Sequence, residues 1–316
     1  METLIIPNTR SNPGFLHLYP LGDGGGQWLH MCIRHQETTS FLMDNAMLED
    51  LIVDAMVQED TRSRIRVHPD GIMVLLKATH VRNGSNAMPE DMISMRIWID
   101  ETDVITTREA DVDPISEMVA RTKSGTAPKA PGEFLADLIK LHLDQIEPLI
   151  EVLEDRANEL DGLMRGTKAE AMCMQLADVQ SQASGFLRQL TPQKQVLETL
   201  CRLDHTVLSE RSRNRFEDAL DQLLHLLETL QSVRERSDIV NDQIARAQER
   251  QLNKTSLIFA LVATVFLPLS FVTGLFGANL RGIPMATHPL GFVTLTASCL
   301  AISLLLIIFF RLRRWF

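Results

Sequence analysis

Apolar residues gather in two uninterrupted runs near the end of the chain. Residues 257–276 read LIFALVATVFLPLSFVTGLF and 290–310 read LGFVTLTASCLAISLLLIIFF, with no formal charge in either. Each has the roughly 20 residues that a helix needs to cross about 30 Å of hydrocarbon. A charge at that depth costs about 2.5 to 3.5 kcal/mol on insertion scales, so its absence from both runs is informative. The pattern predicts a membrane hairpin: transmembrane helix 1 over 257–276, an external loop over 277–289, transmembrane helix 2 over 290–310 and a basic cytoplasmic tail over 311–316. Arg246, Arg250 and Lys254 precede the first span, and Arg311, Arg313 and Arg314 follow the second. Cations favour the cytoplasmic side, which places both ends inside and leaves Arg281 as the one formal charge at the external mouth. Trp315 and Phe316 suit the inner interface, where aromatic rings are favoured.

Upstream the pattern is that of a mixed α/β domain over 1–125. Short alternating runs at 15–19 and 27–33 flank the glycine cluster 22–26, a hairpin signature. Residues 45–58 carry Leu48, Leu51, Ile52 and Ala55 on one helical face. Strands are expected at 65–68, 71–78, 92–99 and 104–107, the last two joined by a turn at 100–103. His30 and Cys32 share a strand face, two residues of a metal site at most, and core packing is the better reading.

A linker by composition, 124–132, leads into a cytoplasmic helical pair spanning 126–214. The first helix is expected over 133–165, bent at Pro148 and ended by Gly162 and Gly166. The second is expected over 168–203, broken at Pro192. Cys201 and His205 stand four apart; if one helix spans both, they share a face and form a candidate pair of zinc ligands. Neither Pro nor Gly occurs between Arg215 and Pro268, so a stalk helix over 215–256 can run unbroken into the first span.

One stripe on that helix steps by three and four residues, which keeps it on one face. It reads Asp238, Asp242, Ala245, Glu249, Leu252, Ser256, Ala260, Ala263, Leu267, Ser270, Gly274, Gly277. The cytoplasmic part is acidic, and the membrane part is small or weakly polar with one leucine. On an isolated helix this would be a solvated face followed by a helix-packing stripe. In a symmetric ring of helices it would line a narrow pore, from Ser256 to Gly274, below an acidic funnel of Asp238, Asp242 and Glu249.

Net charge sharpens this picture. The 41 acidic and 31 basic residues give −10, which argues against nucleic acid as a partner and suits a protein that attracts cations. The four cysteines are scattered without a CxxC pair, so no disulfide framework or zinc knuckle is expected. METLIIPNTR has neither a basic start nor an apolar core, so a secretory signal is not expected there. No GxxxxGK, HExxH or GxSxG motif occurs, and an enzyme is not expected.

The segment PLSFVTGLFGAN, followed by the terminal RLRRWF, resembles the CorA family of divalent-metal transporters. The family signature is a Gly-x-Asn tripeptide at the outer end of the first of two C-terminal spans; here it is Gly277-Ala278-Asn279. The changed middle residue, with Gly282-Ile283-Pro284 after it, is similar to the zinc-transporting ZntB branch. So is EDMISMRIWIDETDVITTRE at 90–109. The resemblance implies a funnel-shaped homopentamer in the bacterial inner membrane, with an α+β cytoplasmic domain, long helices and a two-span hairpin. It implies a pore lined by the first span and an Asn279 ring at the outer mouth, with Gly277 permitting the turn. The implied cargo is Zn2+, with Mg2+ or Co2+ as the alternative, and no cofactor. Many relatives carry acidic residues in the outer loop, whereas this loop has none and places Arg281 two positions after Asn279. Proton coupling stays open, because no intramembrane carboxylate marks a relay. A membrane-tethered sensor or scaffold is the alternative from another class; it leaves Gly277-Ala278-Asn279 unexplained.

Overall fold

The structure is a computed structural model that describes residues 16–22, 25–45, 48–59, 62–79, 88–162, 169–278 and 289–312. Its architecture starts from β4 (Gly71–Ala78), GIMVLLKA, a strand buried at every position. An uninterrupted apolar run of that length needs cover on both faces, which puts it inside a sheet. The sheet has six strands: β1 (Leu16–Leu21), β2 (Gly26–Cys32), β3 (Arg64–His68), β4, β5 (Ile93–Ile99) and β6 (Val104–Arg108). Their order is β1-β2-β6-β5-β4-β3. β2 and β6 pair in parallel, while every other neighbouring pair is antiparallel.

Two short helices, α1 (Gln36–Asn45) and α2 (Asp50–Val57), cover one face. Leu29, Met31, Met73, Leu75, Trp98 and Ile105 pack there against Phe41, Leu42, Ile52, Val53 and Met56. Polar side chains tie this layer down. Arg96 is fully buried, and its Nε donates to the Gln58 carbonyl at 2.9 Å. Thr107 Oγ1 donates to the Met56 carbonyl at 2.5 Å. Gly71 is required where β4 starts, since a Cβ would sit 2.5 Å from both the Ile99 carbonyl and the Trp98 ring. The sequence pattern missed α1, and α2 begins at Asp50 rather than at 45.

Behind the other face lie α3 (Asp113–Ser124), α4 (Pro131–Gly162) and α5 (Ala169–Arg202). Trp28 meets Phe134 of α4 at a ring-centroid distance of 4.9 Å. His142 on α4 is wholly buried, and its Nε2 lies 3.0 Å from Gln193 Oε1 on α5. Gln193 Nε2 in turn donates to the Lys77 carbonyl of β4 at 2.9 Å, so one polar chain links both helices to the sheet. Pro148 and Pro192 lie inside α4 and α5 and end neither, so the break expected at Pro192 does not occur. Each proline frees the carbonyl four residues earlier, on Asp144 and Arg188, and both of those residues are exposed to water.

The chain divides into two units, Met1–Asn241 and Asp242–Phe316. The helix α6 (Glu210–Gly277) belongs to the first as far as Asn241 and to the second beyond it. It starts before Arg215 because Ser209 caps it: the Ser212 N–H donates to Ser209 Oγ at 3.1 Å. Within the first unit α6 is locked to α4. Arg215 pairs with Asp137, Gln222 with Asp144 and Arg236 with Asn158, each across 78 residues of sequence. A constant offset means that the two helices run parallel in one register. The second unit ends in α7 (Gly291–Leu312).

Candidate ion pathway

Within the second unit, the stripe singled out from sequence lies on the open side of α6. Ser256, Ala260, Ala263, Leu267, Ser270 and Gly274 are all exposed, Leu267 at 71%. The half-covered positions are Leu257, Leu261, Val265, Pro268, Leu269 and Val272. At about 100° of rotation per residue, the two sets centre roughly 150° apart around the helix. α7 likewise carries one half-covered stripe, through Leu295, Cys299, Ile302, Leu306 and Phe310. Each of the two apolar helices thus has one side partly covered and the rest exposed. By length and composition, both are long and apolar enough to cross a membrane.

Among the described residues, nothing packs against the two glycines of the stripe. A Cβ built at Gly274 or Gly277 meets nothing within 4 Å, and neither residue has a positive φ. A backbone left bare where side chains would fit marks a place for close approach by something else. α6 closes with the Ala278 N–H donating to the Leu275 carbonyl at 3.4 Å. Asn279 and Arg281 lie outside the described residues, as do Arg313, Arg314, Trp315 and Phe316.

The acidic positions differ in how they are held. Asp238, in the first unit, accepts a hydrogen bond from Gln180 Nε2 of α5 at 2.5 Å. Asp242 lies 3.9 Å from Arg246 one turn on, both largely exposed, an ion pair worth little in water. Glu249 is exposed on the phase of Ser256, and Leu252, 68% exposed, lies near it. The Gln180 tether was not legible beforehand, because it depends on how α5 folds back beside α6.

The expected Cys201–His205 pair is not brought together. α5 ends at Arg202, so no single helix carries both. His205 instead pins a turn: its Nε2 bonds the His68 carbonyl at 2.8 Å, and its Nδ1 accepts the Val207 N–H at 3.3 Å. With both ring nitrogens engaged, none remains for a metal. Burial pushes the Cys201 thiol up to about 11, which disfavours the thiolate that zinc requires. Among the described residues no cluster of three His, Cys, Asp or Glu side chains is arranged to hold a metal ion. His30 sits in the core with Nδ1 2.8 Å from Thr106 Oγ1, and burial lowers its pKa to about 3. Cys32 Sγ turns toward the Glu109 carbonyl at 3.9 Å.

Known proteins share this organisation. A sequence model of the family described as CorA-like Mg2+ transporter protein matches residues 23–314. The zinc transport protein ZntB of Enterobacter sp. (strain 638) is 29% identical over 286 residues, covering 88% of this chain and 84% of that protein. The divalent cation transporter CmaX of Pseudomonas aeruginosa is 28% identical over 267 residues, 84% of this chain and 80% of its own length. The solved structure of full-length CmaX superposes with a TM-score of 0.78 at 26% identity, covering 97% of this chain and 93% of that one.

Proposed function

We propose, from the premise that this chain belongs to the family of CorA-like Mg2+ transporter proteins, that it carries divalent cations across the bacterial inner membrane, with zinc as the preferred cargo. The observation that carries the reading is the bare stripe from Ser256 to Gly274, small and weakly polar, opposite the covered side of α6. One hairpin cannot enclose a path, so the stripe needs symmetry-related copies to close it. A ring of chains, five by family resemblance, turns each stripe inward and leaves α7 toward lipid. Both ends of the chain lie in the cytoplasm, with spans over 257–276 and 290–310 and the loop between them outside.

In that ring the neutral amide oxygens of Asn279 hydrogen-bond the waters of an arriving ion without stripping them. Leaving the shell in place matters, because small divalent ions dehydrate reluctantly. Below the mouth, Ser256, Ala260, Ala263, Ser270 and Gly274 leave room for a hydrated ion, and Leu267 forms the one apolar constriction. Asp242 and Glu249, with Asp238 deeper in the cytoplasm, concentrate cations at the inner end. Arg281 opposes them at the outer end, so the arginines either turn into the headgroups or are offset by a second driving force such as a proton gradient.

Zinc is favoured by the Gly-Ala-Asn form of the motif and by the similarity to proteins named for zinc transport. Magnesium or cobalt is the second reading, favoured by the description of the family as a whole. Flux of each ion into proteoliposomes, with and without a pH gradient, decides between them. Zinc flux that responds to the gradient and is lost in Asn279→Ala supports the first; magnesium flux that follows voltage and ignores pH supports the second. Failure of a well-folded oligomer to pass either ion would restore the sensor or scaffold.

A further inference from the structure

We propose that the cytoplasmic approach to the membrane carries a binding site for anionic phospholipid headgroups, built on Arg246, Arg250 and Lys254 of α6 with Arg311 of α7. The inference rests on the hairpin and orientation proposed above. Its own evidence is the way charge is sorted around one helix.

The three α6 cations recur every fourth residue, and all are exposed. Measured from Ser256 at about 100° per residue, they sit at roughly 80°, 120° and 160°. The acids of the same stretch, Asp242 and Glu249, fall at roughly 40° and 20°, on the bare stripe. Arg250 and Lys254 therefore continue the opposite side, the one that carries Leu257, Leu261 and Val265 deeper in the membrane, and Arg246 lies at its border. Arg250 and Lys254 stand clear of both acids, whereas Arg246 borders the acidic side and pairs with Asp242 at 3.9 Å.

Distance along the axis fits the same ligand. At 1.5 Å per residue, Lys254 lies about 5 Å and Arg250 about 10 Å before Leu257, where the apolar run begins. The headgroup layer on each side of a bilayer is about 5 to 8 Å thick. Lysine and arginine stems span the remaining gap by snorkelling. Arg311 follows the apolar run of α7 directly and is exposed as well. Of these cations, Arg246 has the Asp242 carboxylate 3.9 Å away, and that contact is open to water. Arg246 lies farthest from the apolar run, about 16 Å before Leu257, so the α6 cations spread over about 12 Å of the axis. Phosphate groups of an acidic leaflet relieve the repulsion among them. Each cation near such a surface strengthens binding about fivefold.

The test uses the full chain in nanodiscs made from phosphatidylcholine with about one third phosphatidylglycerol. After extraction, the two lipids retained per chain are measured by mass spectrometry. The wild type is expected to enrich phosphatidylglycerol, and a triple Arg246→Gln, Arg250→Gln, Lys254→Gln variant to lose that preference by up to about a hundredfold. A second triple, Lys123→Gln, Arg156→Gln, Arg234→Gln, removes the same charge from exposed cytoplasmic positions and is expected to keep the preference. If the first triple does not fold, Arg250→Gln and Lys254→Gln taken singly are each expected to lose about fivefold. Equal retention of both lipids by the wild type, or unchanged preference in the first triple, overturns the proposal. Failure to enter nanodiscs at all overturns the hairpin and this site with it, whereas entry without preference overturns this site alone. Neither outcome depends on ion flux.

Discussion

The two units solve opposite problems. In the first, the patterned surfaces are used up internally: both faces of the sheet are covered, and a chain of hydrogen bonds runs from His142 Nε2 through Gln193 to the Lys77 carbonyl. In the second, the most strongly patterned surface is the one left bare. Leu267 at 71% and Leu252 at 68% exposure lie on the same side as Gly274 and Gly277, around which a Cβ would meet nothing. A surface that is ordered but unpartnered points to further copies of the chain, or to lipid and ions, as its complement. The difference teaches where to look for function in a membrane protein. Buried order explains folding, and bare order explains what the fold is for.

The contrast breaks most easily at Phe134. This ring is fully buried and packs at a tilt against Trp28, so Phe134→Ala removes a large core side chain and leaves a cavity. The expected loss is about 3 to 5 kcal/mol of stability in the first unit. Chemical denaturation followed by tryptophan fluorescence checks it, since Trp28 and Trp98 both lie in that unit. A loss below about 1 kcal/mol would mean that the α4 layer does not hold the sheet.

Acid comes next. Burial lowers the pKa of His142 to about 4 and that of His30 to about 3, from an ordinary 6.5. The unfolded chain therefore binds these protons first. The stability that the neutral histidines contribute is complete above pH 6.5, falls as pH drops below it, and stops falling for each below its folded value. Between pH 6.5 and 5 the expected loss is about 1 to 2 kcal/mol per histidine. Thermal melts across that interval test it, with His142→Gln expected to flatten the profile by about half. A melting temperature that is level over the interval would show that these side chains reach water.

The smallest of the three effects concerns the register between α4 and α6. Arg215→Ala removes the pairing with Asp137, both partly exposed, and is expected to cost about 1 to 2 kcal/mol. A double cycle with Asp137→Ala isolates the pair, and a coupling energy near zero would remove it from the lock.

Much of this was legible in the chain. The two apolar runs, the linker near 125 and the strand patterns at 71–78 and 104–107 each follow from side-chain period and length. The stripe on α6 was also readable, because three-and-four spacing fixes a face whatever lies beside it. Other features were not. α1, QETTSFLMDN, carries a weak apolar face and forms because Phe41 and Leu42 find the sheet. Pro192 looked like a break, since local sequence does not tell whether a freed carbonyl will face water. Cys201 and His205 looked like a pair until α5 ended at Arg202 and the His68 carbonyl took the imidazole. For α1 and for His205 the deciding partner lies far away in sequence.

The most direct test of the central claim labels single cysteines along α6 in proteoliposomes. The native Cys32, Cys173, Cys201 and Cys299 are first replaced by serine or alanine. Ser256→Cys, Ala260→Cys, Ala263→Cys, Ser270→Cys and Gly274→Cys are then compared with Leu261→Cys, Val265→Cys and Leu269→Cys. A bare stripe that lines the ion path predicts that a charged, water-soluble thiol reagent reacts with the first set and blocks zinc flux, while the second set neither reacts nor loses flux. Equal labelling of both sets, or block only from the second, would contradict it.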